Sequence, residues 1–394
     1  MAKRPIEVSS FPYRREGGKV PEEALTERGC VLLAFDSFKG CLSASEACQA
    51  AAEGIRARFP DAHIVSLPVS DGGEGMLEAI SANLSFTSVT AFLHNPLMQP
   101  HAAVYGLSPD GGTAYIESAT VIGLNLVPTA ERHPLRLTSY GLGELILHAI
   151  SRGARRLYIG LGGTATCDGG RGMIECLKPH LPLPAEVIGL TDVQAPLLGT
   201  DGAAYVFGPQ KGATPEELPI LDERLREFAK TTPRLSLSGT EGSLTQFPGA
   251  GAAGGIGYAL MAYLHATLIP GIDFILNLLP SGGCPQPAAL VITGEGRSDR
   301  QTLMGKAPYG ILRHFHSHHQ SSPVHLLSGA VSDADALLAA GFASATSIND
   351  GDPRPLPELL RPDVARANIS RAAALLAERA LAGITTVPVQ QKRM

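Results

Sequence analysis

The chain has 394 residues, 44% of them hydrophobic and 18% charged, with a formal net charge of −5. That composition is globular rather than disordered, and the length exceeds one ordinary core and implies two domains. The acidic balance gives no electrostatic reason to expect nucleic acid or an anionic membrane as partner, and no apolar run approaches the roughly 20 residues of a membrane-spanning helix.

Residues 1–28 are polar, mix Arg4, Arg14 and Arg15 with Glu7, Glu16, Glu22, Glu23 and Glu27, and lack an apolar signal core, so a disordered extension is expected there. Cys30–Phe35 then reads as a buried strand, followed at once by Asp36-Ser-Phe-Lys39-Gly. Ser43 and Glu46 form a capping box that opens an Ala-rich helix ending before Pro60. His63–Val69 repeats the pattern with an apolar strand, the loop Ser70-Asp71-Gly72-Gly73-Glu74-Gly75 and a helical stretch. Two such βα units imply a parallel sheet, with Asp36, Lys39 and Asp71 at the carboxyl ends of strands, where ligands bind.

From Phe86 the character changes to short alternating strands, Thr87–Leu93, Ala102–Leu107 and Thr113–Glu117, separated by turn signals. A helix from about Tyr140 to Arg152, capped by Thr138 or Ser139, precedes the strand Leu157–Leu161. The glycine-dense loop Gly160–Gly172 follows, with Thr164, Thr166, Asp168 and Arg171 among its glycines. Glycine lets backbone amides approach an oxyanion closely, and a helix starting near Gly170 would add its positive end, so Gly162, Gly163, Thr164, Asp168, Gly169 and Gly170 are candidates for phosphate binding. The bland reading is a tight strand-to-helix turn. Gly160-x-Gly162-x-x-Ala165 also fits a dinucleotide fingerprint, but its late position and the acid inside the loop argue against nicotinamide.

Beyond the loop come a strand at Val187–Thr191, Asp192, the apolar run Ala203–Phe207 and a helix with Thr214 as N-cap and Pro215 at its first position. Gly249–Gly257 opens another helix. Ala288–Thr293 is a buried strand followed by Gly294-Glu295-Gly-Arg297-Ser-Asp299, and Val324–Leu327, a helix near Asp333–Ala340, Ala343–Ile348 and a final helix from Asp363 to Ala382 restore the βα rhythm. The first domain therefore resumes, giving residues 29–85 and 286–394 as one α/β domain and residues 86–285 as a mixed α/β domain inserted into it.

There is no Walker loop, no G-x-S-x-G and no H-E-x-x-H. The histidines at 314, 316, 318 and 319 fit no fixed metal spacing and read as solvated surface, and the six cysteines, with neither a CxxC pair nor zinc spacing, read as reduced thiols in a cytosolic compartment. What remains is a set of acid-and-glycine loops with Lys39, Lys211, Arg297 and Lys306 beside strand ends or turns. Phosphoryl transfer needs such a set, with cations and amides for phosphate oxygens, carboxylates for Mg²⁺ and one carboxylate for the hydroxyl proton.

The stretches DSFKG (36–40), SDGGEG (70–75), GLGGTATCDGG (160–170), AAYVFGPQKGAT (203–214), GAAGGIG (251–257) and GEGRSDRQT (294–302) together resemble the bacterial-type glycerate kinase family, in order over nearly the whole chain. The resemblance implies ATP- and Mg²⁺-dependent phosphorylation of D-glycerate, usually at the 2-hydroxyl. It also implies a discontinuous Rossmann-like domain carrying an inserted α/β domain, the active site in the cleft between them, and a cytoplasmic monomer or homodimer. On it, Asp192 matches the acid proposed as catalytic base, Lys39 and Arg297 hold carboxylate or phosphate, Asp71, Gly72 and Gly73 join the nucleotide loops, and Asp299 and Asp168 serve the metal or phosphate-loop geometry. The chain departs from the family pattern at Cys167 and Ala195, where asparagine is expected, and in a shortened segment 173–191. Those departures leave a weakened or repurposed sugar-acid- or nucleotide-binding relative as the alternative.

Overall fold

The computed structural model describes residues 30–70, 72–73, 75–232, 244–278, 288–317 and 322–382. The N-terminal extension and Asp71, with Glu74, His318 and His319, lie outside the described residues. The chain opens with β1 (Val31–Phe35), α1 (Ala44–Arg58), β2 (Ile64–Ser66) and α2 (Met76–Ser81). The run β3 (Thr87–His94), β4 (Pro100–Leu107), β5 (Thr113–Glu117), α3 (Ala119–Ile122), α4 (Tyr140–Ser151), β6 (Arg156–Gly160), α5 (Arg171–Leu177) and β7 (Glu186–Leu190) follows. Then come α6 (Ala203–Phe207), α7 (Leu218–Lys230), α8 (Ala252–Leu264), β8 (Thr267–Ile269) and α9 (Gly271–Leu276). The chain closes through β9 (Leu290–Gly294), β10 (Arg297–Ser298), α10 (Ala307–Ser317), β11 (Val324–Ser328), β12 (Ala330–Val331), α11 (Ala334–Ala339), β13 (Ser344–Ser347), α12 (Leu356–Leu359) and α13 (Pro362–Ala382).

One sheet is all parallel, in the order β13-β11-β9-β1-β2, and a second of six strands runs β3-β4-β5-β6-β7-β8 with an antiparallel start and a parallel remainder. β1 is wholly buried because its VLLAF run is apolar toward both faces, as a central parallel strand requires. Val31, Leu33 and Phe35 pack under α1 and α13 on one side. Leu32 and Ala34 face the other way, into a layer of α2, α9 and α10.

That middle layer is apolar on both sides. Tyr115, Ile188 and Leu190 of the six-stranded sheet belong to the same continuous cluster as Leu32, Val291 and Leu326 of the parallel one. The far face of the six-stranded sheet is covered by α4, α5 and α8. The molecule is thus five layers deep, helices alternating with sheets.

The capping box at α1 forms as the residues require, with Ser43 Oγ accepting from Glu46 N at 3.3 Å and Ser43 N donating to Glu46 Oε2 at 2.9 Å. Three local expectations need correction. α7 starts at Leu218 rather than at Pro215, because Thr214 N donates to Glu217 Oε2 (2.9 Å) and Glu217 N to Thr214 O (3.0 Å), closing a separate turn first. Ala253, Gly254 and Gly255 are left-handed, so the glycine-rich entry to α8 is a kinked loop. Cys30 is disulfide-bonded, whereas Cys41, Cys48, Cys167 and Cys176 are free, so the thiols are not all reduced.

Candidate active site

In the parallel sheet the strand order reverses between β1 and β9, since β2 lies beyond one and β11 and β13 beyond the other. Ligands of such sheets bind outside the carboxyl ends of the strands at that reversal. Asp36 N donates to Gly294 O at 2.9 Å, which holds the two strand ends together. A Cβ placed on Gly296 would lie 3.6 Å from Lys39 N and from Phe38 Cα, so the loops run in van der Waals contact. Lys39 and Arg297, 258 positions apart in sequence, therefore flank one crevice. Both side chains are exposed, and Arg297 Nε approaches Asp299 Oδ2 at 3.5 Å.

Beneath this crevice lies Glu295, to which the sequence reading gave no role. It is 7% exposed and accepts from Ser298 Oγ (3.1 Å), Thr302 Oγ1 (2.7 Å) and Lys306 Nζ (3.0 Å). These bonds stiffen the turn that carries Arg297 and Asp299, and they bind Lys306 to the turn rather than leave it for a ligand. Asp299 N-caps the 3-10 turn Arg300–Met304, its Oδ1 accepting from Gln301 N at 2.8 Å.

Asp192 arrives from the other sheet, two residues past β7, with Oδ2 accepting from Ile272 N at 3.2 Å at the start of α9. A side chain on Gly305 would overlap the Asp192 carbonyl oxygen, so the Asp192 loop lies directly against the 299–306 segment. Gly305 sits at φ +113°, a left-handed backbone that favours glycine. Loops carrying the acid of one sheet and the cation of the other are thereby in contact.

The glycine-dense loop is employed differently from the expectation. A Cβ on Gly162 would overlap the Cα of Gly73, one on Gly160 would come 2.5 Å from the Gly72 carbonyl oxygen, and one on Gly72 would come 2.6 Å from Leu190 O. Glu117 Oε1 and Oε2 accept from Gly75 N and Leu77 N, each at 3.2 Å, fastening the same turn to β5. Gly169 packs on Leu225 and Phe228, and Gly170 on Ala259. Gly163 is exposed with φ +68°, and its carbonyl accepts from Leu124 N at 2.8 Å. The glycines thus let chain meet chain.

Asp168 is similarly occupied. Its Oδ2 accepts from Ser139 N (2.9 Å), Ser139 Oγ (2.7 Å) and Gly172 N (3.1 Å), and its Oδ1 from Gly170 N (3.0 Å). Ser139 was expected to cap α4 with its side chain and makes no such bond, because its hydroxyl is directed to the other loop, donating to Asp168 Oδ2 and accepting from Met173 N at 3.0 Å. Lys211 is buried and donates to Thr164 Oγ1 (3.1 Å) and Thr166 O (2.7 Å), and burial lowers its pKa. It too staples the loop.

Among the described residues no group of three or more His, Cys, Asp or Glu could hold a metal ion. Asp168 Oδ2 already accepts from three donors and Oδ1 from one, and Asp299 retains one oxygen directed to Arg297. This donor set does not build a protein cage for Mg²⁺. It suits the usual alternative, in which one or two carboxylates and substrate phosphates share the ion with water. No helix among the described residues is long and apolar enough to cross a membrane.

Comparison with known proteins bears on this geometry directly. The model of the Glycerate kinase family matches residues 31–182 and 182–380. The chain is 40% identical over 351 residues to a glycerate kinase of Bacillus subtilis (strain 168), covering 82% of this chain and 90% of the relative. It is 40% identical over 332 residues to a glycerate 2-kinase of Escherichia coli (strain K12), covering 77% and 86%. A crystal structure assigned to glycerate kinase 2 of Salmonella typhimurium LT2 superposes with a TM-score of 0.71 at 35% identity, covering 91% of this chain and all of that one.

Proposed function

The chain belongs to the glycerate kinase family, and from that premise we propose that it transfers the γ-phosphoryl group of ATP to the 2-hydroxyl of D-glycerate. The observation that carries the proposal is the double loop contact, Gly296 on Lys39 and Gly305 on Asp192, which gathers two cations and an acid from both sheets. In this reading Asp192 accepts the proton of the attacking hydroxyl as the new O–P bond forms and the bridging bond to the β-phosphate breaks. Lys39 and Arg297 bind the glycerate carboxylate or the phosphoryl oxygens, with the Arg fork suited to either anion. Glu295 positions Arg297.

Mg²⁺ would neutralise charge on the transferring phosphates. Asp299 is the carboxylate that suits it, while Asp168 organises its own loop. We assign residues 29–85 with 286–394, and 86–285, as the two domains that form the cleft. We place the reaction in the cytoplasm, where ATP is held.

The test is ³¹P NMR of the full chain with Mg-ATP and D-glycerate, in which 2-phosphoglycerate should accumulate. Asp192→Asn should lower kcat by about 10²- to 10⁴-fold, the typical contribution of a positioned base, while far-UV circular dichroism is unchanged. Absence of any phosphorylated product from the wild-type chain would favour a binding role for the same cleft.

A further inference from the structure

The six-stranded sheet ends on one side at β3, and nothing blunts that edge. The other edge strands of the two large sheets are short, β2 and β8 with three residues each and β13 with four, whereas β3 has eight. Its sequence TSVTAFLH holds no Pro, Lys, Arg, Asp or Glu. It pairs with β4 residue for residue, from Thr87 with Leu107 to His94 with Pro100, and so carries no bulge. Charge, proline, a bulge or shortness are the usual means of keeping an edge from pairing, and β3 uses none of them.

The ladder fixes which backbone groups face outward. Just beyond the strand Asn95 N donates to Gln99 O at 2.9 Å, so that pair is hydrogen-bonded and the next, His94 with Pro100, is not. Pro100 has no N–H to give, and His94 N turns the other way, to Glu144 Oε2 at 2.9 Å. By the same alternation Ser88, Thr90 and Phe92 direct their N–H and C=O groups away from β4. Among the described residues nothing bonds those groups, and all three residues are exposed, Phe92 by 85%. Their side chains share a face with Ala102 and Val104 of β4, which are exposed too, and the Phe86 ring closes one end of that strip by lying over Gly106. The strip is uncharged. A two-fold contact sets every charge on its axis against its own copy, so an uncharged strip suits it.

We propose that β3 is the docking edge for a second copy of this chain, the two strands pairing antiparallel about a two-fold axis at Thr90 and joining the two six-stranded sheets into one. In that register the two Thr90 residues stand opposite each other and Ser88 stands opposite the second copy's Phe92. Each pair exchanges both of its N–H···O bonds, so every outward group of the strip is satisfied. The three outward residues are spaced evenly about Thr90, which makes the strand its own complement. Ser88 has Gly106 on its other side, and these two small residues leave room for the second copy's Phe92 ring beside Phe86. The contact is isologous and closed, and assembly stops at two. β4, β5 and β6 separate this edge from β7, which leads to Asp192, so the pairing is independent of the crevice.

Sedimentation velocity of the full chain at micromolar concentration tests this without turnover and should give the mass of two chains. Thr90→Lys sets two like charges opposite each other, and Thr90→Pro removes an outward N–H but no bond to β4. Each should weaken association about tenfold or more with native circular dichroism, while Leu360→Lys, at an exposed apolar residue elsewhere, leaves it unchanged. Hydrogen exchange of the amides in 87–94 should slow as the concentration rises. A monomer at every concentration overturns the proposal, and so does a dimer indifferent to both Thr90 variants, whose axis would lie elsewhere. Protection of 87–94 that does not depend on concentration overturns it as well, because the edge would then be covered by the chain itself or by a co-purifying peptide.

Discussion

The Cys48 thiol is buried against β1, where it donates to Leu33 O at 3.5 Å, and burial pushes its pKa up from 9.0 to about 12, with the charge of Glu78 acting in the same direction. A folded-state pKa above the unfolded one means that the native chain keeps the proton longer. Its contribution to stability is therefore complete below pH 9 and is lost as pH rises toward 12, at about 1.4 kcal/mol per unit of separation. Urea titrations between pH 8 and 11 should show the wild-type chain losing stability more steeply than Cys48→Ala; parallel slopes would sink the argument. At this scale the sequence made legible the loops that follow the apolar strands β1 and β9, on which Lys39 and Arg297 lie. It was illegible for Asp168, whose chief partner Ser139 lies 29 positions upstream, because no spacing separates a carboxylate aimed at a ligand from one aimed at the chain. Glu295 escaped for a related reason, since its function depends on burial.

Between elements, the turn after β2 and the loop after β6 meet backbone to backbone. Gly162→Ala should cost about 1–3 kcal/mol as overpacking, because its Cβ would overlap the Gly73 Cα and neither backbone has a flexible end to yield. Gly40→Ala is the control: it has the left-handed strain of φ +74° but nothing within 4 Å of the new methyl. Denaturation midpoints and the radius of gyration should separate the two, with only Gly162→Ala expanding the particle. The helices and strands themselves were largely readable from period and caps, as β3, β4, β5 and the Ser43–Glu46 box show. The role of the glycines was not, because close approach to a phosphate and close approach to another loop demand the same residue.

For the whole molecule, the shared layer of α2, α9 and α10 has an energetic consequence. Tyr115, Ile188 and Leu190 lose their apolar partners if the parallel sheet unfolds, so neither sheet keeps an intact core alone. Scanning calorimetry should therefore show one transition with calorimetric and van't Hoff enthalpies equal; two resolved peaks would contradict this. The alternation of strand and helix in the sequence announced two α/β units and the return of the first. It could not announce the shared layer, because a helix apolar on two sides reads the same whether it serves one sheet or two.

The pairing of β1 with β9 also sets an order of events at the ribosome. Ala34 O and Thr293 Oγ1 bond across 259 positions of chain. At typical rates of synthesis, about 5–20 residues per second, β1 waits roughly ten seconds to a minute for that neighbour. Every strand of the six-stranded sheet is made in the interval. The newborn chain therefore carries VLLAF with one edge open for most of its time on the ribosome, and β1, the first strand among the described residues, is among the last to be enclosed. A holding chaperone would find its target at the N-terminal end of this protein.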